Sequence, residues 1–107
     1  MKVLLINGSP HEKGCTYTAL SLIAGELKAQ GIETEILHVG GQPVGGCIGC
    51  GGCAADNGCV FGGVVNEAIE KAKTADGFVF GSPVHYASAT GNMTSFMDRL
   101  AYAGGKY

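Results

Sequence analysis

Between Gly40 and Gly63 the chain gathers ten of its 19 glycines and four of its five cysteines, and this segment has no helical or strand period on which to fold. Loops longer than about 12–15 residues without structure of their own are uncommon in compact domains. Something other than an apolar core must therefore organise this one, and a bound inorganic group would do so. A chain of 107 residues, 46% of them hydrophobic, has room for one domain, so 40–63 reads as a loop inserted into a single domain 1–107. No apolar run exceeds Val3-Leu4-Leu5-Ile6, far short of a bilayer span or a signal-peptide core, and the chain reads as cytoplasmic, with no membrane partner. In that setting an odd number of cysteines argues against a disulfide framework and for metal or redox use.

The flanks alternate strand and helix. Lys2-Val3-Leu4-Leu5-Ile6, closed by Asn7-Gly8-Ser9-Pro10, has the continuous apolar pattern of a strand buried on both faces. Leu20, Ile23, Ala24 and Leu27 then fall at helical spacing, with Gly31 placed to end that helix in a left-handed turn. Residues 33–39 mix charge with apolar side chains, as expected of a strand nearer a sheet edge. Beyond the loop, Val65, Ala68, Ile69 and Ala72 mark a second helix, Phe78-Val79-Phe80 an apolar strand ending at Gly81-Ser82-Pro83, and Met93, Phe96, Met97 and Leu100 a third helix. This order predicts an α/β fold, a doubly wound parallel sheet with helices on both faces. Ligands of such sheets sit at the carboxyl ends of the strands, which directs attention to the loops after Ile6 and after Phe80. A net charge of −2 with seven Lys and Arg cannot supply a phosphate-binding surface dense enough for nucleic acid.

The loop Gly8 to Thr18 runs from a buried strand into a helix N-terminus, where free N–H groups and the helix dipole favour an anion. It is neither a dinucleotide fingerprint nor a Walker A loop. Its hydroxyls, Ser9, Thr16 and Thr18, either donate to a phosphate or merely cap the helix. After the third strand, Pro83, Val84, His85, Tyr86, Ala87 and Ser88 offer a ring, an imidazole and small residues that either bracket a flat heterocycle or are half-buried loop residues.

The pairing of Gly-Ser-Pro after the first strand with Gly-Ser-Pro-Val-His-Tyr-Ala-Ser after the third, then Phe96-Met97-Asp98-Arg99, resembles the flavodoxin-like superfamily of NADPH-dependent FMN reductases over nearly the whole chain. The resemblance implies that Ser9, His11, Cys15, Thr16, Tyr17 and Thr18 surround an FMN phosphate, Cys15 chiefly through its backbone, and that Pro83, Val84, His85, Tyr86, Ala87 and Ser88 line the isoalloxazine ring.

Cys47, Cys50, Cys53 and Cys59 form C-x2-C-x2-C-x5-C. Iron–sulfur clusters take four thiolates, and compact runs let one loop wrap several corners, with glycines free to turn around an inorganic core. Within this frame the spacing resembles the iron–sulfur flavoproteins, which implies a [4Fe–4S] cluster near FMN. Structural zinc and unliganded thiols are the alternatives. Cys15 reads as a small buried residue at a helix start. The three histidines have no ligand spacing, Glu67, Glu70, Lys71 and Lys73 form a solvated helix face, and Asp98 with Arg99 anchors the third helix rather than performing chemistry. No nucleophile has a partnered base, no catalytic residue is singled out, and the aspartate a phosphoacceptor domain needs after the third strand is replaced by Gly81-Ser82.

The expected function is an FMN-binding oxidoreductase moving electrons from NAD(P)H or a reduced carrier to a flavin, quinone or protein acceptor, with a [4Fe–4S] cluster as one-electron station. The alternatives are a non-enzymatic electron carrier and a zinc-stabilised fragment without cofactor. In the flavodoxin order the chain supplies strands two, one and three and then the third helix and the tail 103–107. It therefore reads as truncated, with Phe78-Val79-Phe80 at an open edge, and the resemblance implies a homo-oligomer.

Overall fold

The computed structural model describes residues 1–54 and 58–104; positions 55–57 of the cysteine loop and the tail 105–107 lie outside them. Three strands, β1 (Lys2–Asn7), β2 (Glu33–His38) and β3 (Gly77–Gly81), form a parallel sheet in the order β2-β1-β3, the flavodoxin-like order expected. β1 is central because it is apolar on both faces: Leu4, Leu5 and Ile6 are fully buried, each contributing about 1.5–3 kcal/mol of burial. On one face Leu5 meets Leu20 and Ala24 of α1 (Cys15–Ala29), with Val3, Ile36 and Val79 packed around them. On the other, Leu4 and Ile6 meet Val65, Ala68 and Ile69 of α2 (Val64–Ala72) and Met93, Phe96 and Ala103 of α3 (Gly91–Gly104).

Two of the apolar stripes are narrower than their spacing predicts. Ile23 is 40% exposed and Met97 is 39% exposed, because each sits at the margin of a helix that covers only a three-stranded sheet. On α3 the buried row passes instead through Arg99. α1 ends as expected: Gly31 has φ +79°, and Ile32 N–H donates to Leu27 O at 3.0 Å while Gly31 N–H donates to Lys28 O at 3.0 Å, the paired bonds of a Schellman cap. A Cβ there meets no neighbour, so Gly31→Ala isolates the backbone cost. The left-handed conformation costs an L-residue roughly 1–2 kcal/mol, partly offset by a stiffer unfolded chain. A net loss of about 1 kcal/mol in urea unfolding, with an unchanged m-value, is the expected result.

The two outer strands differ in chemistry. β2 carries Glu35, which accepts from Lys71 and lies 3.4 Å from Lys2; the Lys71 ammonium holds its carboxyl below the ordinary value against an opposing effect of burial, with Lys2 assisting. Lys71 thus braces α2 against the sheet rather than facing only solvent. On β3, Phe78 and Phe80 register with Leu4 and Ile6 yet are each 42% exposed. Their rings stack at 6.2 Å beside an apolar groove of about 360 Å³ bounded by Ile69, Met97 and Leu100. Two short strands that the sequence reading had as loop, β4 (Val84–His85) and β5 (Ser88–Ala89), form an antiparallel hairpin between β3 and α3.

Candidate functional site

Because β1, β2 and β3 are parallel, the three segments that follow them leave from one edge of the sheet, and they are tied together there. Gly8 N–H donates to Gly81 O at 2.8 Å, and the buried Thr90 hydroxyl donates to Gly8 O at 3.0 Å, joining the first loop to the third. On the other side the His38 ring donates from Nε2 to Ser9 O at 2.7 Å, the carbonyl acceptor fixing which nitrogen carries the proton. Gly40 is pressed so closely on the first loop that a Cβ would stand 2.2 Å from Ser9 O.

Within the first loop, buried Asn7 donates from Nδ2 to Glu12 O at 3.0 Å and accepts from Ser9 N–H at 3.0 Å. Ser9 is buried and its hydroxyl oxygen accepts from His11 N–H at 3.1 Å. Thr18 donates its hydroxyl to Gly14 O at 3.1 Å. Neither hydroxyl caps α1: the N-cap is Gly14, with no side-chain cap bond and no acidic residue in the first turn. The helix-capping alternative is therefore set aside. The open donors are backbone N–H groups, aided by the helix dipole. Thr16 and Tyr17 are half-buried and His11 is exposed on the rim. Cys15 is exposed in the first turn, correcting its reading as buried; residue 15 begins the helix at the mouth of the loop, where the core does not reach.

His85 and Tyr86 are exposed as well, Tyr86 by 96%, rather than half-buried, because they sit at the tip of the β4–β5 hairpin. Its two-residue turn has φ +48° at Tyr86 and +65° at Ala87, the positive pair that a tight hairpin needs and that Asn-Gly normally supplies. Holding L-residues there costs roughly 1–2 kcal/mol each, and such strain collects at functional sites. Pro83 is half-buried at the root of the hairpin, Val84 and Ser88 are exposed beside the tip, and Ser82 Oγ accepts from Thr90 N–H at 2.9 Å, anchoring the base. Ala87→Gly is expected to raise stability by up to about 1 kcal/mol, read as a rise in thermal midpoint.

The third segment is the cysteine loop. Cys47 and Cys50 are exposed, Cys53 and Cys59 are half-buried, and all four line one cavity together with Val60, Phe61, Arg99 and Tyr102. Gly49 and Gly51, which flank Cys50, have φ +69° and +74°, the left-handed turns that let so short a run double back. Among the described residues no three ligating side chains are arranged to share one metal ion, and no histidine lines the cavity.

The loop is held by polar side chains from α2 and α3 that were not singled out as site residues. Asn92 donates from Nδ2 to Gly40 O at 3.3 Å and Gln42 O at 3.0 Å and accepts from Val44 N–H at 3.2 Å. Asn66 accepts from Cys59 N–H at 2.7 Å and donates to Cys59 O at 2.8 Å. Arg99, buried, donates to Gly45 O at 3.3 Å and Gly62 O at 2.9 Å, whereas Asp98 is exposed. Arg99 was legible in one respect: it lies on the helical row from Phe96 to Ala103. Burial pushes the Cys59 thiol up, but N–H groups of Phe61 and Gly62 and the Arg99 guanidinium together outweigh it and leave the thiol below its ordinary value. Four thiols beside a buried cation are the donor type that holds a thiolate-bound inorganic group, although the cavity they line is only about 20 Å³ and they are not gathered around a common centre; an uncapped helix N-terminus is likewise the donor type for a phosphate.

Comparison with known proteins bears on the family and the fold. Residues 1–107 match the family model described as NADPH-dependent FMN reductase. The chain is 34% identical over 99 residues to an iron-sulfur flavoprotein of Methanocaldococcus jannaschii, covering 92% of this chain and 51% of that protein. It is 35% identical over 103 residues to one of Archaeoglobus fulgidus, covering 96% and 50%, and 27% identical over 99 residues to one of Methanosarcina thermophila, covering 92% and 52%. The chain thus spans about half the length of the curated relatives it matches. No helix among its described residues is long and apolar enough to cross a membrane. With a parallel β2-β1-β3 sheet and a family match running from Met1 to Tyr107, the chain belongs to the NADPH-dependent FMN reductase family.

Proposed function

We propose that this chain carries FMN at the carboxyl edge of its sheet and a [4Fe–4S] cluster on Cys47, Cys50, Cys53 and Cys59, and serves as an oxidoreductase between NAD(P)H or a reduced carrier and a flavin, quinone or protein acceptor. The observation that supports it most directly is that the segments after all three strands leave one sheet edge, which sets an uncapped helix N-terminus and a strained aromatic hairpin there, while the cysteine loop runs from that edge to a cavity that its four thiols line beside the C-terminal half of α3. When bound, FMN supplies two-electron chemistry and the cluster single-electron exchange.

The residues divide the work. Backbone N–H groups of the first turn of α1, with Thr16, Tyr17 and His11 around them, bind the phosphate; Ser9 and Asn7 hold the loop in shape from behind. Pro83, Val84, His85, Tyr86, Ala87 and Ser88 orient the ring, with Tyr86 presented on a hairpin too short to swing freely. The cysteines bind metal as thiolates, and Asn66 fixes the backbone at Cys59. Val60, Phe61 and Tyr102 line the cysteine cavity while remaining largely exposed themselves.

Anaerobic purification followed by absorption spectroscopy, with iron, sulfide, zinc and flavin analysis, tests this. Flavin bands together with iron and acid-labile sulfide in cluster proportion are expected. Stoichiometric zinc without flavin would sink the proposal in favour of a zinc-stabilised fold. Oxidation of NADPH by the flavin-loaded chain with an added quinone is expected of the enzyme; its absence in protein holding both groups reassigns the chain as an electron carrier.

A further inference from the structure

A buried arginine on α3 is an unusual neighbour for four cysteines. Arg99 is 9% exposed, makes no ion pair among the described residues, and lines the cysteine cavity. Its two terminal nitrogens donate to Gly45 O and Gly62 O, carbonyls that bracket the cysteine run on both sides. Its Nε is buried and has no hydrogen-bond partner among the described residues. An unsatisfied buried donor costs about 1–3 kcal/mol, more when charged, and a buried charge normally has a counter-charge. What the cavity offers as counter-charge is sulfur. Four thiolates around an iron–sulfide core carry net negative charge, and reduction adds one more.

We infer that Arg99 is a positioning residue for the cysteine loop, tying its two ends at Gly45 and Gly62 while setting a fixed positive charge against the group that the four thiolates hold. This rests on the iron–sulfur reading of Cys47, Cys50, Cys53 and Cys59, and adds to it a specific role for a residue outside the motif. The tie and the charge are separable in chemistry. Lysine keeps the charge but cannot span both carbonyls as a planar fork does; glutamine keeps an amide donor and loses the charge; methionine loses both. A cation close to the core favours its more negative, reduced form, so net charge and hydrogen bonding near the core set its potential.

The test uses the full chain, reconstituted anaerobically with iron and sulfide, in wild-type form and as Arg99→Lys, Arg99→Gln and Arg99→Met. Iron and sulfide content is measured, then the reduction midpoint by dithionite titration with redox dyes. Arg99→Gln and Arg99→Met are expected to lower the reduction equilibrium constant by about tenfold or more, a downward shift of about 59 mV or more for a one-electron couple, while Arg99→Lys stays within about threefold. In the metal-free chain, Arg99→Lys and Arg99→Met are both expected to speed proteolytic cleavage within residues 45–62. If Arg99→Met fails to fold, the Gln and Lys variants carry the comparison. Clusters in Arg99→Gln and Arg99→Met that titrate with the wild type would overturn the role of Arg99 and leave the iron–sulfur reading standing. A wild-type chain that takes up no iron and sulfide ends both.

Discussion

Gly40→Ala is expected to strip FMN from the chain and to lower its unfolding free energy by about 3 kcal/mol, at or beyond the upper end of ordinary overpacking. The added methyl would stand 2.2 Å from Ser9 O and 2.5 Å from Gly8 O. Both are backbone atoms, so no rotamer change makes room. Gly8 cannot retreat either, since its N–H is bonded to Gly81 O and its carbonyl accepts from Thr90. The relief available is to pull the end of β2 away from the loop after β1, which breaks the bonds from Val39 and Gly40 N–H to Asn7 O and shifts the loop proposed to hold the FMN phosphate. Urea unfolding together with the fluorescence of released flavin reads both effects. A variant within about 0.5 kcal/mol of wild type that retains its flavin would show that the two chain segments are not packed this tightly.

Cys59→Ser is the second large effect, and it should leave FMN in place. Outer-shell changes at metal sites already cost about 10–100-fold in affinity, so loss of a ligand is expected to cut bound iron and sulfide by more than about tenfold. Cys59 is the informative choice because Asn66 grips its backbone at both N–H and carbonyl, which keeps a loop rearrangement from substituting another donor. Cys15→Ser, on α1 and outside the cavity, is expected to leave the iron content unchanged. The Cys59 thiol also gives a reading without metal. Its position below the ordinary cysteine value means that more of it is thiolate at a given pH, so alkylation of the apoprotein at this residue should have its midpoint at lower pH than that of an unperturbed cysteine. Iron retained by Cys59→Ser at the wild-type level would argue against this cysteine as a ligand, and a midpoint at or above the ordinary value would show that Arg99 and the nearby N–H groups do not stabilise its thiolate.

What could be read in the sequence, and what could not, follows from the range of the interactions involved. The central position of β1 was legible because Val3 to Ile6 leaves no polar face for solvent, and the outer place of β2 because Glu33 and Glu35 do. The cysteine run was legible because ligand spacing is a local property. The β4–β5 hairpin was not: two residues per strand produce no period, and its turn is Tyr86-Ala87 where the recognisable signal would be Asn-Gly. Nor were the side chains that hold the cysteine loop. Asn66, Asn92 and Arg99 act at separations of 7 to 54 residues, on a loop whose own composition says nothing about which helix faces it. An Asp98-Arg99 pair near the end of a helix resembles solvated surface, and only the packing of α3 shows that one member points inward and the other out.

The grip of α2 and α3 on the cysteine loop bears on the order of assembly. Zinc fingers and many small metallo-domains fold only as the metal arrives, because ligation alone organises their loops. Here the carbonyls of Gly40, Gln42, Gly45, Cys59 and Gly62 are already engaged by helix side chains, and those helices are held by the apolar core against β1. A loop held from outside in this way does not depend on a bound group for its course, so under the proposed function removal of that group is expected to leave the sheet and helices folded.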